Sequence, residues 1–437
     1  MTLLDLTPRV ADSGPLSTLP VAIIGAGPIG LAAASNLVER GIDFVVFEAG
    51  DEIAASVRAW GHTRLFSPWK HLVDPASRRL LEERGWELPD PERAPTGTEL
   101  VEKYVAPLAS LEEIAPRVRT GVEVVGVTRE GMDRTRSARR AATPFAVRIR
   151  MASGDVEDFP ARAVIDASGT YLSPNSLSSS GLELLGMADI AGRVTPALPD
   201  VLGRDRADFA GRRVTVVGAG HSAANTLLAL VQLAREEAGT TVTWLIRNAK
   251  AVRVSSSPDD ELIGRANLGS RVDGAVERGD IALVDGFEII RARRSGEAVE
   301  LVGHRTGEVV AHETDIVVNA TGFRPNLDIL REIRLELDEI VEAPKRLAPL
   351  IDPNVHSCGT VEPHGFRELT HPEPGFFIVG MKSYGRAPTF LLATGYEQVR
   401  SVTAWLAGDT ASASNVELAL PATGVCSTDA GSGGGCC

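Results

Sequence analysis

Three features of the sequence predict an α/β chain with two doubly wound, Rossmann-like domains. From residue 20 onward, runs of Val, Ala and Ile alternate with helical patterns, the grammar of a parallel sheet covered by helices. The stretch VAIIGAGPIGLAAASNL at 21–37 returns as VTVVGAGHSAANTLLAL at 214–230, two copies of one strand–turn–helix opening. Each copy runs on into a further strand, which completes a βαβ start.

Taken in order, Val21–Gly25 reads as a buried strand, Ile29–Arg40 as a helix ended by Gly41, and Asp43–Glu48 as the second strand. Glu99–Leu111 carries an amphipathic helical pattern. Val122–Thr128 and Phe145–Met151 read as strands around an Arg-rich loop, whose Arg134, Arg136, Arg139 and Arg140 are expected at a solvated hairpin tip. After a strand at Val164–Ser168 comes a Ser/Pro/Gly-rich connector, Ser173–Gly181. A second strand–turn–helix–strand unit runs from Arg213 to Ile246, with later strands near Ile281–Val284, Ala298–Val302 and Ile316–Ala320. Residues 1–19 read as a flexible leader, and 411–437, rich in Ala, Ser, Gly and Thr, as a mobile tail.

Composition narrows the class. A length of 437 residues suffices for two or three domains, and 43% hydrophobic with 24% charged residues is the balance of a soluble globular protein. A net charge of −13 without a basic block argues against nucleic-acid binding and against adhesion to an anionic membrane. Met1–Ser17 contains Asp5 and Asp12 and no apolar run, so no secretory signal is expected. Leu19–Val38 is apolar enough to resemble a membrane span, but Gly25, Gly27, Pro28 and Gly30 break it into strand, turn and helix. Cys358 stands alone while Cys426, Cys436 and Cys437 crowd the end, which is no disulfide framework and fits a reducing, cytoplasmic setting.

The first motif is Gly25-x-Gly27-x-x-Gly30, with Pro28 and Ile29 opening the helix. Its glycines serve a tight turn, a close approach of backbone to a pyrophosphate, and helix–strand packing. The pyrophosphate would lie on exposed N–H groups at the helix N-terminus. Glu48, with Ala49 after it, ends the next strand where an acid takes ribose hydroxyls. The second motif is Gly218-x-Gly220-x-x-Ala223, with His221 and Ser222 inside it. Here the following strand ends in Arg247 and no acid, which suits a 2′-phosphate and hence NADPH over NADH. Two further strands end in small-residue turns, IDASG with Ser168 and Gly169, and VVNATGFRPN with Thr321 and Gly322. Such turns let the backbone pass close to a cofactor or join two domains.

Together with PGFFIVG at 374–380, these motifs make residues 20–405 resemble the two-dinucleotide flavoproteins, among them flavin-containing monooxygenases, Baeyer–Villiger enzymes and thioredoxin reductases. The resemblance implies FAD at the first motif and an FAD domain at 20–205 plus 312–410 around an NADPH domain at 206–311. It also implies Gly380 and Met381 near the isoalloxazine, Phe390–Thr394 opening the last helix beneath it, and Val124 among the cofactor contacts. The G-G-x-W of such monooxygenases is Ala54-Ala-Ser-Val57 here, and their F-x-G-x-x-x-H ends in Pro196. No C-x-x-C or C-x-x-x-x-C pair exists, which excludes the usual dithiol reductase.

The aromatic and basic stretch VRAWGHTRLFSPWK (57–70), PTGTELVEKYVAPLASL (95–111) and the cysteine-bearing tail look like the flavoproteins of arsenic-resistance operons. That likeness places Arg58, Trp60 and His62 near FAD and Ser67, Trp69 and Lys70 near the flavin ring. His356, His364 and His371 surround Cys358 without a zinc spacing and are expected to be satisfied loop histidines. The thiolates of Cys426, Cys436 and Cys437, on a Gly/Ser tether, are soft ligands suited to a metalloid. The expected protein is thus an FAD- and NADPH-dependent oxidoreductase, monooxygenase-like, acting on a small substrate such as a trivalent arsenical. A reductase relaying electrons through the tail thiols and a non-turnover sensor are the rivals. The oligomeric state stays open, a homodimer being admissible.

Overall fold

In the computed structural model, residues 16–248, 263–352, 364–387 and 390–417 are described. The strands, in chain order, are β1 (Val21–Ile24), β2 (Phe44–Phe47), β3 (Val118–Arg119), β4 (Val122–Arg129), β5 (Phe145–Met151), β6 (Val156–Ala161) and β7 (Ala163–Asp166). The middle of the chain adds β8 (Val194–Pro196), β9 (Arg213–Val217), β10 (Thr241–Leu245), β11 (Ala282–Val284), β12 (Phe287–Ser295), β13 (Ala298–Arg305), β14 (Glu308–Thr314) and β15 (Ile316–Asn319). β16 (Phe376–Ile378) comes last.

Two parallel sheets organise the molecule, ordered β16-β7-β1-β2-β3 and β11-β10-β9-β15-β8. Each glycine motif follows a central strand, β1 or β9, and each sheet carries a three-stranded antiparallel companion, β4-β5-β6 or β12-β13-β14. All four residues of β1 are buried, as a strand covered on both faces must be. The second sheet takes in β8 and β15, which lie outside the expected insert of 206–311. β6, β12 and β14 were not foreseen, because their faces are largely exposed and polar and carry little alternation.

The helix Pro28–Glu39 starts with Pro at its first turn and ends before Gly41, whose φ is +62°. It packs against Leu392–Leu406, where Gly395 leaves room for Ile29: a Cβ there would fall 2.5 Å from Ile29 Cδ1. The predicted helix at 99–111 begins earlier, at Gly97, because Thr96 and Glu99 form a capping box. It passes through a π turn at Val101–Val105 into Ala106–Ala109. Pro107 has no N–H to offer the Lys103 carbonyl; the Trp86 indole donates to that carbonyl instead, at 2.7 Å. No helix among the described residues is long and apolar enough to cross a membrane.

Two expectations need correction. Arg134, Arg136 and Arg139 are exposed as predicted, but Arg140 is buried and pairs with Glu373. Its burial depends on a partner far along the chain, which local charge density cannot reveal. Residues 411–417 are also docked: Thr410–Ser414 is helical, capped by Asp409, with Ala413 buried and its carbonyl accepting from Ser401 Oγ at 2.6 Å.

Behind the first sheet's helices, Asp74 caps the helix Pro75–Glu82 through Ser77 N at 2.8 Å, with Asn36 at 3.3 Å and the Tyr104 hydroxyl bonded to its own N–H. Burial pushes the Asp74 carboxyl up to about 6. A carboxyl raised by folding contributes stability below pH 4, and that contribution is lost as pH rises through about 6. Asp74→Asn keeps the cap and abolishes the titration. It is expected to be more stable than the parent at pH 8, by about 1–3 kcal/mol, with the advantage gone at pH 4. Denaturant midpoints at the two pH values check this; equal differences at both would remove Asp74 as the cause.

Candidate functional site

The first cradle forms at the carboxyl end of β1. Gly25 has φ +96°, and a Cβ on it would stand 2.8 Å from the Ala167 carbonyl oxygen; one on Gly30 would stand 1.9 Å from the Gly25 carbonyl. Both positions therefore demand glycine. Gly27 is different: a Cβ there would meet nothing within 4 Å. The open space lies at the head of a helix without a side-chain cap, where first-turn N–H groups lack intrahelical acceptors. Glu48 is half-buried and accepts from Ala26 N at 2.8 Å and Gly50 N at 3.0 Å. Each carboxylate oxygen has a second lone pair for a ribose hydroxyl.

The same logic recurs at β9. Gly218, at φ +126°, lies against the Ala320 carbonyl, 2.1 Å from a would-be Cβ, while Gly220 again faces open space. Ala223 is buried where the first motif has Gly30. The Trp244 indole donates to the Gly218 carbonyl at 2.7 Å and fixes the turn. Arg247 is exposed, donates to the Ser179 carbonyl at 3.2 Å and lines an open cleft of about 560 Å³ with Ser178–Ser180, Glu288, Ile289 and Ile290. Glu288, on β12, is an acid that the sequence motif gave no sign of. If Arg247 takes the 2′-phosphate, Arg247→Ala is expected to raise KM for NADPH about ten- to hundredfold while leaving NADH use nearly unchanged. Equal losses in steady-state assays with both cofactors would make the residue structural.

The connector that follows the IDASG turn is zipped to the VVNATG turn. Asn175 donates from its backbone to the Gly322 carbonyl at 2.9 Å, and its own carbonyl accepts from Asn319 Nδ2 at 2.9 Å and Thr321 Oγ1 at 3.2 Å. Gly322 has φ +96° and Gly169 φ +69°.

The segment 57–70 touches both halves. Phe66 packs on the second core, its ring 4.8 Å from His221 at the head of the second nucleotide helix; Ser222 follows, half-buried. Trp69 is fully buried in the first core, and its Nε1 has no hydrogen-bond partner among the described residues. Other predicted contacts lie farther out. Arg58 is exposed and pairs with Glu52, His62 is exposed, and Lys70 is exposed in an ion pair with Glu92 at 2.7 Å. Trp60 is half-buried beside Gly97, where a Cβ would be 2.8 Å from its ring. Ser67 is half-buried, Ala49 exposed, and Val124 lies in the core between β4 and the first sheet.

At the carboxyl ends of β7 and β16 lies a buried polar cluster that motif reading missed. Lys382 pairs with Asp166 at 2.6 Å. Gly380, φ +69°, donates to Gln398 Oε1 at 2.7 Å, and Gln398 meets Ser383 and His364, each at 2.9 Å. Met381 is half-buried between them. A lysine two residues after the apolar PGFFIVG run was the available signal, since buried charges are rare unless paired. His371 accepts from Glu336 N at 3.3 Å, and burial lowers its pKa to about 4. Cys358, Cys426, Cys436, Cys437 and His356 lie outside the described residues. Among the described residues no group of three His, Cys, Asp or Glu could hold a metal.

The open space at both middle glycines, the acid at the first and the arginine at the second fit FAD and NADPH respectively. The indole-3-pyruvate monooxygenase YUCCA1 of Oryza sativa subsp. japonica is 30% identical over 205 residues, 46% of this chain and only 42% of the relative's length. The bacillithiol disulfide reductase of Bacillus cereus shares the fold at TM-score 0.63 and 20% identity, over 89% of this chain and 98% of that one. The ornithine hydroxylase of Pseudomonas aeruginosa does so at TM-score 0.61 and 16% identity, over 90% and 99%. A family model described as pyridine nucleotide-disulphide oxidoreductase matches residues 22–357, which contain both cradles and the zipped connector. With FAD and NADPH as its cofactors, the chain belongs to the pyridine nucleotide-disulphide oxidoreductase family.

Proposed function

We propose that this chain is a monooxygenase-like enzyme that oxidises a small substrate, a trivalent arsenical or its thiol adduct, at the expense of NADPH and O₂. The observation that carries the reading is the reach of residues 66–69: Phe66 lies against His221 at the second cradle, and Trp69 is buried in the core of the first. One short segment thus links the head of the second nucleotide helix to the core of the first domain. In this reading 20–205 with 312–410 hold FAD, and 206–311 with the flanking strands of its sheet hold NADPH. Bound FAD supplies two-electron transfer from NADPH and the reaction with O₂. The chain's own groups position both cofactors: Glu48 on ribose, Arg247 on the 2′-phosphate, and the Gly27 and Gly220 turns on the pyrophosphates.

Oxygenation of small molecules is supported by the name of the matched relative, an indole-3-pyruvate monooxygenase. The arsenical is supported by the likeness of 57–70 and 95–111 to arsenic-operon flavoproteins and by three thiols at 426, 436 and 437, soft ligands for As(III). The balance is one oxygen atom to arsenic, which passes from III to V, and one to water. NADPH and a proton supply the two electrons and two protons.

Purified protein given NADPH, As(III) and O₂ is expected to consume NADPH and O₂ and to form As(V) in equal amounts. NADPH oxidation that needs a disulfide and no O₂ would establish the reductase instead, and binding of As(III) without turnover a sensor. Truncation after Leu420 is expected to leave FAD content and NADPH-driven flavin reduction intact but to lower As(III)-dependent NADPH consumption. Unchanged consumption would strip the tail thiols of their role.

A further inference from the structure

β10 ends at Leu245, and Ile246 and Arg247 follow it without an acid, yet folding brings one there from 40 residues farther along, in β12. Two backbone hydrogen bonds hold β12 in place. The Ile246 carbonyl accepts from Phe287 N at 3.1 Å, and the Ile289 carbonyl accepts from Ser179 N at 3.0 Å. The Ser179 carbonyl in turn accepts from Arg247 Nη1 at 3.2 Å. Glu288 therefore stands between two anchored residues, one bonded to the neighbour of Arg247 and the other to its hydrogen-bond partner. Phe287 and Ile289 are 2% and 1% exposed, so strand alternation turns the Glu288 side chain the other way, into the cleft it shares with Arg247. The register slips at the next residue. Ile289 faces Gly303 and Arg291 faces Val302, which leaves Ile290 unpaired and lining the same cleft.

Among the described residues that line this cleft, only Arg247 and Glu288 are charged; Ser178, Ser179, Ser180, Ile289 and Ile290 are neutral. No ion pair among the described residues neutralises Glu288, so no fixed cation consumes its charge. A phosphate entering the cleft meets an attractive guanidinium and a repulsive carboxylate together. The 2′-hydroxyl of NADH offers no charge on which either can act. Selectivity between two such ligands is set by the repulsive group as well as by the attractive one.

We propose that Glu288 is a specificity-determining residue for the nicotinamide cofactor: its carboxylate repels a 2′-phosphate held by Arg247 and so limits how far the chain favours NADPH over NADH. The inference rests on the reading that Arg247 takes the 2′-phosphate. It separates the two roles by position in the chain: the attraction comes from the end of β10, as in the sequence motif, and the repulsion from a strand outside that motif.

Glu288→Gln keeps the size and removes the charge of an exposed side chain. Calorimetric titration of the FAD-loaded protein with NADP⁺ and NAD⁺ reads binding without turnover. At low salt the variant's Kd for NADP⁺ is expected to fall about three- to tenfold, with that for NAD⁺ within about twofold of the parent's. The gain is expected to shrink as salt rises from about 0.01 to 0.15 M, because screening weakens the repulsion that was removed. An unchanged ratio of the two Kd values overturns the role of Glu288. Weaker binding of NAD⁺ overturns it too, since the carboxylate would then be an acceptor for the ribose 2′-hydroxyl. Arg247→Ala tests the reading beneath. If that variant loses NADP⁺ and NAD⁺ alike, the 2′-phosphate reading falls and Glu288 with it; if it loses NADP⁺ alone while Glu288→Gln changes nothing, only Glu288 falls.

Discussion

Glu48→Lys protein is expected to purify colourless, with the 450 nm flavin band absent and the Kd for FAD raised by about two to four orders of magnitude. A carboxylate that accepts both ribose hydroxyls makes two charge-assisted hydrogen bonds, each about 1.5–3 kcal/mol, and an ammonium can accept neither. The structure adds a second cost, because Glu48 also holds Ala26 N and Gly50 N, so the variant loosens the glycine turn. Glu48→Gln keeps an acceptor for one of these N–H groups and is expected to fall in between. Full retention of yellow cofactor by the lysine variant would take Glu48 out of the site.

Glu373→Ala is expected to cost about 3–5 kcal/mol of stability, read as a shift in the urea midpoint. Its carboxylate is fully buried and receives Arg129 Nε and Arg140 Nε, both at 2.8 Å, with Arg334 N at 3.3 Å. Arg129 lies 3.6 Å over the Phe145 ring and also donates to the Thr143 and Pro374 carbonyls; burial holds its pKa below the usual value. Removing the acid leaves two buried cations facing each other where β4, β5 and the segment before β16 meet. Replacing all three side chains together by methionine is expected to restore most of the loss, because the penalty comes from uncompensated charge. A Glu373→Ala loss below about 1 kcal/mol would mean that water reaches the cluster.

The nucleotide cradles were legible in the sequence because everything that makes them is local. Gly25, Gly27 and Gly30 lie within two turns of chain, Glu48 ends the next strand, and Gly218 and Gly220 repeat the pattern. Steric demands at such positions permit almost no other residue, as the 1.9 Å approach at Gly30 and the 2.1 Å approach at Gly218 make plain. The two sheets followed from the same repeats, since a buried strand after which a glycine turn opens a helix has few places in an α/β fold.

What the chain could not announce is which distant groups meet. Arg140 reads as one more arginine of a charged loop until Glu373 arrives beneath it. Glu288 joins Arg247 only because β12 passes the cleft, and Lys382 is tolerable inside the protein only because β7 brings Asp166 to it. Periodicity tells which face of an element is buried, but not what is buried against it. Charge inside a protein is decided by its partner, and the partner is chosen by tertiary packing. So the sequence by itself determined the two glycine turns and the groups that end the strands after them. Only the folded chain decided how the halves are pinned together and which buried charges pair with one another.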